Sequence, residues 1–157
     1  MARLENIKLL VLDVDGTMTD AGVYIMEDGT QFKKFNARDG IGIKLARKAG
    51  IEVGIISHSL VTAMVEARAN MLGLEYFYIG QEDKLEVLKR WMKELGITLE
   101  QVAFIGDDVN DLSILEAVGT GACPADALPK VKEICQVQLS KKGGEGCVRE
   151  FIDDWLL

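Results

Sequence analysis

Positive charge is what this chain is short of: 18 lysines and arginines stand against 25 aspartates and glutamates, a net charge of -7 over 157 residues. That balance argues against a general surface for nucleic acid or anionic membrane, so an anionic substrate has to be met by a few local cations. A single histidine, His58, and three cysteines in no close pair argue against a zinc site and against a disulfide framework. They read instead as reduced thiols in a cytoplasmic protein. No apolar run approaches the roughly 18 residues of a membrane span, and the opening MARLENIKLL has no small-residue cleavage site. With no repeat and no low-complexity linker, residues 1–157 read as one domain.

What is present is organised around KLLVLDVDGT, Lys8 to Thr17. Ile7 and Leu9 to Leu12 form a nearly continuous apolar run, the pattern of a central parallel strand covered on both faces, and it runs directly into Asp13 and Asp15. Gly16 lets the chain turn away from whatever binds there. Two carboxylates in so small a space repel and raise each other's pKa unless a cation or a shared proton intervenes.

Further along, alternating runs flank Asp28-Gly29 and predict a hairpin flap over about residues 22–36. Its Tyr24, Met26, Phe32 and Phe35 are more apolar surface than a lone hairpin can bury, which points to a contact with another subunit. The spacing predicts helices over Ile41–Lys48, Val61–Leu72, Lys84–Leu95 and Glu145–Leu157, with a turn and helix over Pro124–Lys132. Trp91 falls on an apolar stripe and reads as core. Strands are predicted at Ile51–Ser57, Leu74–Ile79, Val102–Asp108, Thr120–Cys123 and Ile134–Leu139. The alternation implies an α/β fold, a doubly wound parallel sheet whose ligands bind beyond the carboxyl ends of the strands. Asp13, Ser57 and Asp107 all stand at such ends.

The candidate constellation is Asp13, Asp15, Ser57, Lys84, Asp107, Asp108 and Asp111. So many carboxylates in one crevice require a cation, and an all-oxygen set points to magnesium rather than zinc or copper. Lys84 supplies the anion receptor. A hydroxyl, an ammonium and Mg²⁺ facing a free carboxylate are what phosphoryl transfer needs.

DVDGT at Asp13–Thr17, Ser57 at a strand end, Lys84 at a helix start and GDDVND at Gly106–Asp111 resemble the four motifs of the haloacid dehalogenase superfamily of phosphatases. The resemblance implies that Asp13 is the nucleophile and Asp15 the general acid and base, with Ser57 and Lys84 on the phosphoryl oxygens. It also implies that Mg²⁺ is held by Asp13, the Asp15 backbone carbonyl and Asp107, with Asp108 and Asp111 orienting the metal shell and Lys84. Over the whole length, with FNARDGIG at Phe35–Gly42 and GGEGCVRE at Gly143–Glu150, the chain is similar to capless phosphatases of 3-deoxy-D-manno-octulosonate 8-phosphate (KDO 8-phosphate) and of nine-carbon sugar acid phosphates. That group implies a homotetramer joined through the hairpins, no cap domain, and a small sugar acid substrate.

The group usually has glycine and then arginine or glutamate after the hydroxyl of the second motif; here His58 and Ser59 stand there. Those positions help to read the sugar. Arg38 and Arg149 are candidates for a substrate carboxylate clamp or for surface ion pairs. Two other classes compete. A signalling receiver domain would place its acceptor aspartate after its acidic pair and its lysine near the end, and a non-catalytic domain of the same fold would not need the retained aspartates.

Overall fold

The computed structural model describes residues 2–157. The apolar run becomes strand β1 (Leu9–Leu12), and a two-stranded hairpin, β2 (Tyr24–Ile25) and β3 (Gln31–Phe32), follows. Then come α1 (Ala37–Lys48), β4 (Glu52–Ser57), α2 (Thr62–Met71), β5 (Tyr76–Ile79), α3 (Lys84–Leu95) and β6 (Val102–Ile105). The chain closes with α4 (Leu112–Ala117), β7 (Thr120–Cys123), α5 (Pro129–Ile134), β8 (Val137–Gln138) and α6 (Cys147–Phe151).

Six strands form one parallel sheet in the order β5-β4-β1-β6-β7-β8, so the direction of winding reverses between β1 and β6. Leu12 pairs with Ile55 on one side and with Ile105 on the other, which brings the carboxyl ends of all three strands level. Side chains alternate across the sheet. Leu10 and Leu12 join Ile43, Val65, Val148 and Phe151 on one face, while Leu9 and Val11 join Leu88, Trp91, Ile114 and Val131 on the other. Each fully buried leucine or isoleucine contributes about 1.5–3 kcal/mol by leaving water, so both helical layers are held to β1 by the same short strand.

Several boundaries differ from the sequence expectation. α1 starts at Ala37 rather than Ile41, because the Asn36 side chain accepts the N–H groups of Arg38 and Asp39 and caps the helix before its apolar stripe begins. β6 stops at Ile105, short of Asp108, and Ile134 belongs to α5 rather than to the last strand. α4 was not read from the sequence. The final helix begins at Cys147 and passes into a π-helical turn at Ile152–Leu156. Trp91 is buried, as its place on the stripe predicts.

Candidate active site

Three loops meet at the switch between β1 and β6. The first, Asp13 to Asp20, leaves β1 with Asp13 N–H still bonded to the Ile105 carbonyl at 3.0 Å, as if β1 ran one residue further. The second carries Asp107 to Asp111, where Asp108 caps a short 3-10 turn by accepting the Val109 N–H. The third brings Gly143 and Gly144 against the first. A Cβ on Gly143 would lie 1.9 Å from the Gly16 carbonyl oxygen, and Gly144 N–H donates to the Thr17 carbonyl at 3.1 Å. Only glycine permits so close an approach of two backbones.

Asp13, Asp107 and Asp111 each present a carboxylate oxygen within 4.8 Å of the others. Lys84, the first residue of α3, reaches into this group from the side. Its Nζ donates to Asp13 Oδ1 and to Asp111 Oδ1, both at 2.7 Å, and the side chain is 0% exposed. Asp83 fixes its position by capping α3 through the N–H groups of Leu85 and Glu86, and the ammonium lies 5.9 Å from the Phe104 ring centroid. Burial alone would lower the pKa of Lys84, but the two carboxylates outweigh it and raise it.

The carboxylates respond in the opposite sense. Burial, then the neighbouring Asp13, pushes Asp107 far above the usual carboxylate range, and burial with the charge of Asp13 raises Asp111 as well. One ammonium does not neutralise three carboxyl groups. Asp111 is fully engaged, with Oδ1 on Lys84 and Oδ2 accepting the N–H groups of Asp107 and Asp108. Asp107 Oδ1, in contrast, is buried without a hydrogen-bond partner. A buried carboxyl oxygen left unpaired is costly, and ionising it there more so. Three converging carboxylates, one of them with a buried oxygen left unpaired, fit a hard divalent cation such as Mg²⁺, bound through Asp13 and Asp107, with Asp111 holding Lys84 and the loop.

Asp15 stands apart from the three. Its carboxylate is bonded to Lys33 Nζ at 2.6 Å, an ion pair from the hairpin that the sequence reading did not name. Asp108 is exposed and spends its side chain on the turn rather than on the acidic group. Ser57 is 1% exposed at the end of β4 and accepts the Ser59 N–H through Oγ at 3.0 Å. His58 points elsewhere: Nε2–H donates to the Glu82 carbonyl at 2.7 Å, which leaves Nδ1 to accept from Asn110 at 3.4 Å. Arg38 and Arg149 are grouped with each other, since Arg149 Nη1 donates to the Arg38 carbonyl, and they line a separate cavity of about 240 Å³ with Lys141 and Glu150.

The chain matches the model of the haloacid dehalogenase-like hydrolases over residues 73–152. It is 41% identical over 157 residues to the KDO 8-phosphate phosphatase of Escherichia coli, covering 100% of this chain and 83% of that protein. Among solved structures, the KDO 8-phosphate phosphatase of Yersinia pestis superposes with a TM-score of 0.90 at 40% identity, over 94% of this chain and 80% of the other. The enzyme of the same activity from Moraxella catarrhalis, in complex with magnesium ion, phosphate ion and KDO, superposes with a TM-score of 0.91 at 36% identity, over 95% and 85% of the two chains. With a parallel sheet of the expected winding, paired aspartates beyond its central strands and relatives that span its whole length, the chain belongs to the haloacid dehalogenase-like hydrolases.

Proposed function

We propose that this chain, a single domain over residues 1–157, is a Mg²⁺-dependent phosphatase that releases phosphate from a sugar acid phosphate through an aspartyl-phosphate on Asp13. The observation that carries this reading is the buried Lys84 bridging Asp13 and Asp111 beside the unpartnered Asp107 Oδ1. A nucleophile, a cation for the transferring oxygens and a vacant anionic ligand atom converge there. Relatives across the full length act on KDO 8-phosphate, which sets the substrate class.

In this reading Asp13 attacks phosphorus as the bond to the sugar oxygen breaks, and Asp15 gives its proton to that oxygen. Asp15 then takes a proton from the water that attacks the aspartyl-phosphate, so that Asp13 is regenerated and phosphate leaves. Lys84 and Ser57 hold the phosphoryl oxygens in line. Mg²⁺, held by Asp13, Asp107 and the Asp15 backbone carbonyl, supplies charge neutralisation for the transferring group and for the carboxylates. Asp108 keeps the second loop folded, and Asp111 keeps Lys84 aimed.

Position 59 bears on which sugar is preferred. Ser59 has no charge, and its hydroxyl donates to the Val61 carbonyl at 3.4 Å, so a short neutral side chain turned to its own backbone stands where this group usually has a long charged one. His58 is drawn off to Glu82 and Asn110. On this ground a nine-carbon sugar acid 9-phosphate is turned over at least as efficiently as KDO 8-phosphate. The same reading has the protein as a cytoplasmic homotetramer joined through the hairpins, supported by the exposure of Met26 and Phe32, at 52% and 48%, and of Val23 and Ile25 beside them, whereas Phe35, expected in that contact, packs against the chain's own core and Tyr24 is half-buried.

The test is phosphate release from KDO 8-phosphate and from N-acetylneuraminate 9-phosphate, with Mg²⁺ and with excess EDTA. Hydrolysis that EDTA abolishes and Mg²⁺ restores is expected. Full activity in chelator sinks the reading of the cofactor, and a preference for the eight-carbon ester of tenfold or more sinks the argument from Ser59 (about 1.4 kcal/mol per tenfold step).

A further inference from the structure

We propose that Lys33, on the hairpin, is a positioning residue that holds the Asp15 carboxyl where it can protonate the leaving oxygen. The proposal rests on the phosphatase reading above. It begins from an inverted exposure: in the Lys33–Asp15 pair the lysine side chain is only 12% exposed and the aspartate 45%. In an ordinary surface pair both partners are solvated and the contact contributes little. Here the ammonium is set into the protein and donates to Asp15 Oδ1 alone, at 2.6 Å, which leaves Oδ2 to carry the proton that the leaving oxygen receives.

The hairpin is built to bring Lys33 there. Tyr24 and Phe32 are paired across the two strands and stack with ring centroids 4.9 Å apart, a contact worth about 0.5–1.5 kcal/mol beyond burial. That pairing fixes the register of β3, and the residue after Phe32 is turned to the opposite face, toward the DVDGT loop. The Tyr24 hydroxyl donates to Asp20 Oδ2 and Gly22 N–H donates to Asp20 Oδ1, so the hairpin is tied at its base to the loop that carries Asp15. Each of the two carboxyl groups assigned to the chemistry is thus held by a lysine: Lys84, shared with Asp111, on Asp13, and Lys33 on Asp15. A proton donor has to stand at the bridging oxygen while the nucleophile is in line, and a half-exposed aspartate with free rotamers would not.

A purely structural role would slow all substrates alike, whereas a role through Asp15 would matter only where the leaving group needs a proton. The experiment measures kcat/KM with Mg²⁺ for a series of substituted phenyl phosphates of rising leaving-group basicity, and for KDO 8-phosphate. Wild type, Lys33→Met, Lys33→Arg and Asp15→Asn are compared. Lys33→Met should leave 4-nitrophenyl phosphate within about threefold of wild type while phenyl phosphate and KDO 8-phosphate fall by about 10- to 100-fold, a part of the 10²–10⁴ that general acid catalysis supplies. The steeper dependence on leaving-group basicity should match that of Asp15→Asn in direction, and Lys33→Arg should restore most of the loss. Because the slope is a ratio among substrates, a lower fraction of folded enzyme does not mimic it. An equal fall for every ester, or no fall, overturns the proposal. Wild type inactive on every ester overturns the phosphatase reading itself, and the proposal with it.

Discussion

Gly16 and Asp107 are in such close contact that a Cβ on the glycine would lie 1.8 Å from Asp107 Oδ2. The same glycine has a φ of +90°, where other residues are strained. Gly16→Ala should therefore displace Asp107 and weaken Mg²⁺ binding by about 10- to 100-fold, as expected for groups that orient a metal ligand. Titration calorimetry with Mg²⁺ reads this directly; unchanged affinity would separate Asp107 from the metal.

Asp13→Asn should lower kcat by several orders of magnitude with the fold intact, since the amide keeps the shape and removes one charge from a crowded group. Turnover close to wild type would remove Asp13 from the role of nucleophile. The melting temperature without Mg²⁺ should be equal to or above that of the unsubstituted chain.

Lys84→Met should destabilise the protein, because it leaves Asp13 and Asp111 buried without their ammonium. Breaking a buried pair from one side costs about 3–5 kcal/mol, or roughly 10 °C in melting temperature for a chain of this size. Adding Asp13→Asn should recover part of the loss. A melting temperature unchanged by Lys84→Met would mean that the carboxylates are compensated elsewhere.

The pH dependence of stability should carry a signature of Asp39. This carboxyl is 1% exposed, and burial, opposed by hydrogen bonding from the Arg149 N–H and by the charge of Arg68, raises its pKa from 3.8 to about 6. Below about pH 4 it is neutral in folded and unfolded chains alike, and its favourable contribution is complete. As pH rises through about 6 the folded chain has to ionise it in place, and about 2–3 kcal/mol is lost. Asp39→Asn keeps the acceptor for Arg149 and should flatten that part of the profile. Urea unfolding at pH 4.5 and 7.5 measures the difference; equal slopes for the two proteins would refute the assignment.

The proposed homotetramer predicts that Ile25→Lys with Phe32→Lys shifts sedimentation toward smaller species, because both side chains stand exposed on the hairpin. A tetramer that persists would place the subunit contact elsewhere.

Much of the site was legible because strand-end carboxylates follow apolar runs, and a run such as Leu9–Leu12 declares itself without long-range information. The places of Asp13, Ser57 and Asp107 at or just past strand ends were legible on that basis. The Asp15–Lys33 pair was not, since it depends on the register of a hairpin that separates the partners in sequence. α4 went unread because Leu112–Ala117 is too short to show a period against the polar turn before it. The start of α1 was misplaced for the opposite reason, as a cap outranked the apolar stripe at Asn36. Arg38 and Arg149, each open from sequence to a substrate clamp or a surface ion pair, show what spacing leaves out: Arg149 pairs with Asp153 and donates to the Arg38 carbonyl because α6 lies on α1.

The pairing of β1 also governs when this molecule can begin to work. Leu9 is hydrogen-bonded in register with Glu52 on one edge and with Val102 on the other. During synthesis the strand that leads to Asp13 precedes both its partners, and its second edge stays unpaired until β6 has been made. Such a topology has high contact order, folds slowly, and exposes a sticky edge on the way. Asp107 is added only after β6, so a nascent or truncated chain has Asp13 in sequence but no acidic crevice around it, and on the proposed function the onset of activity marks the closing of the sheet on both sides of β1.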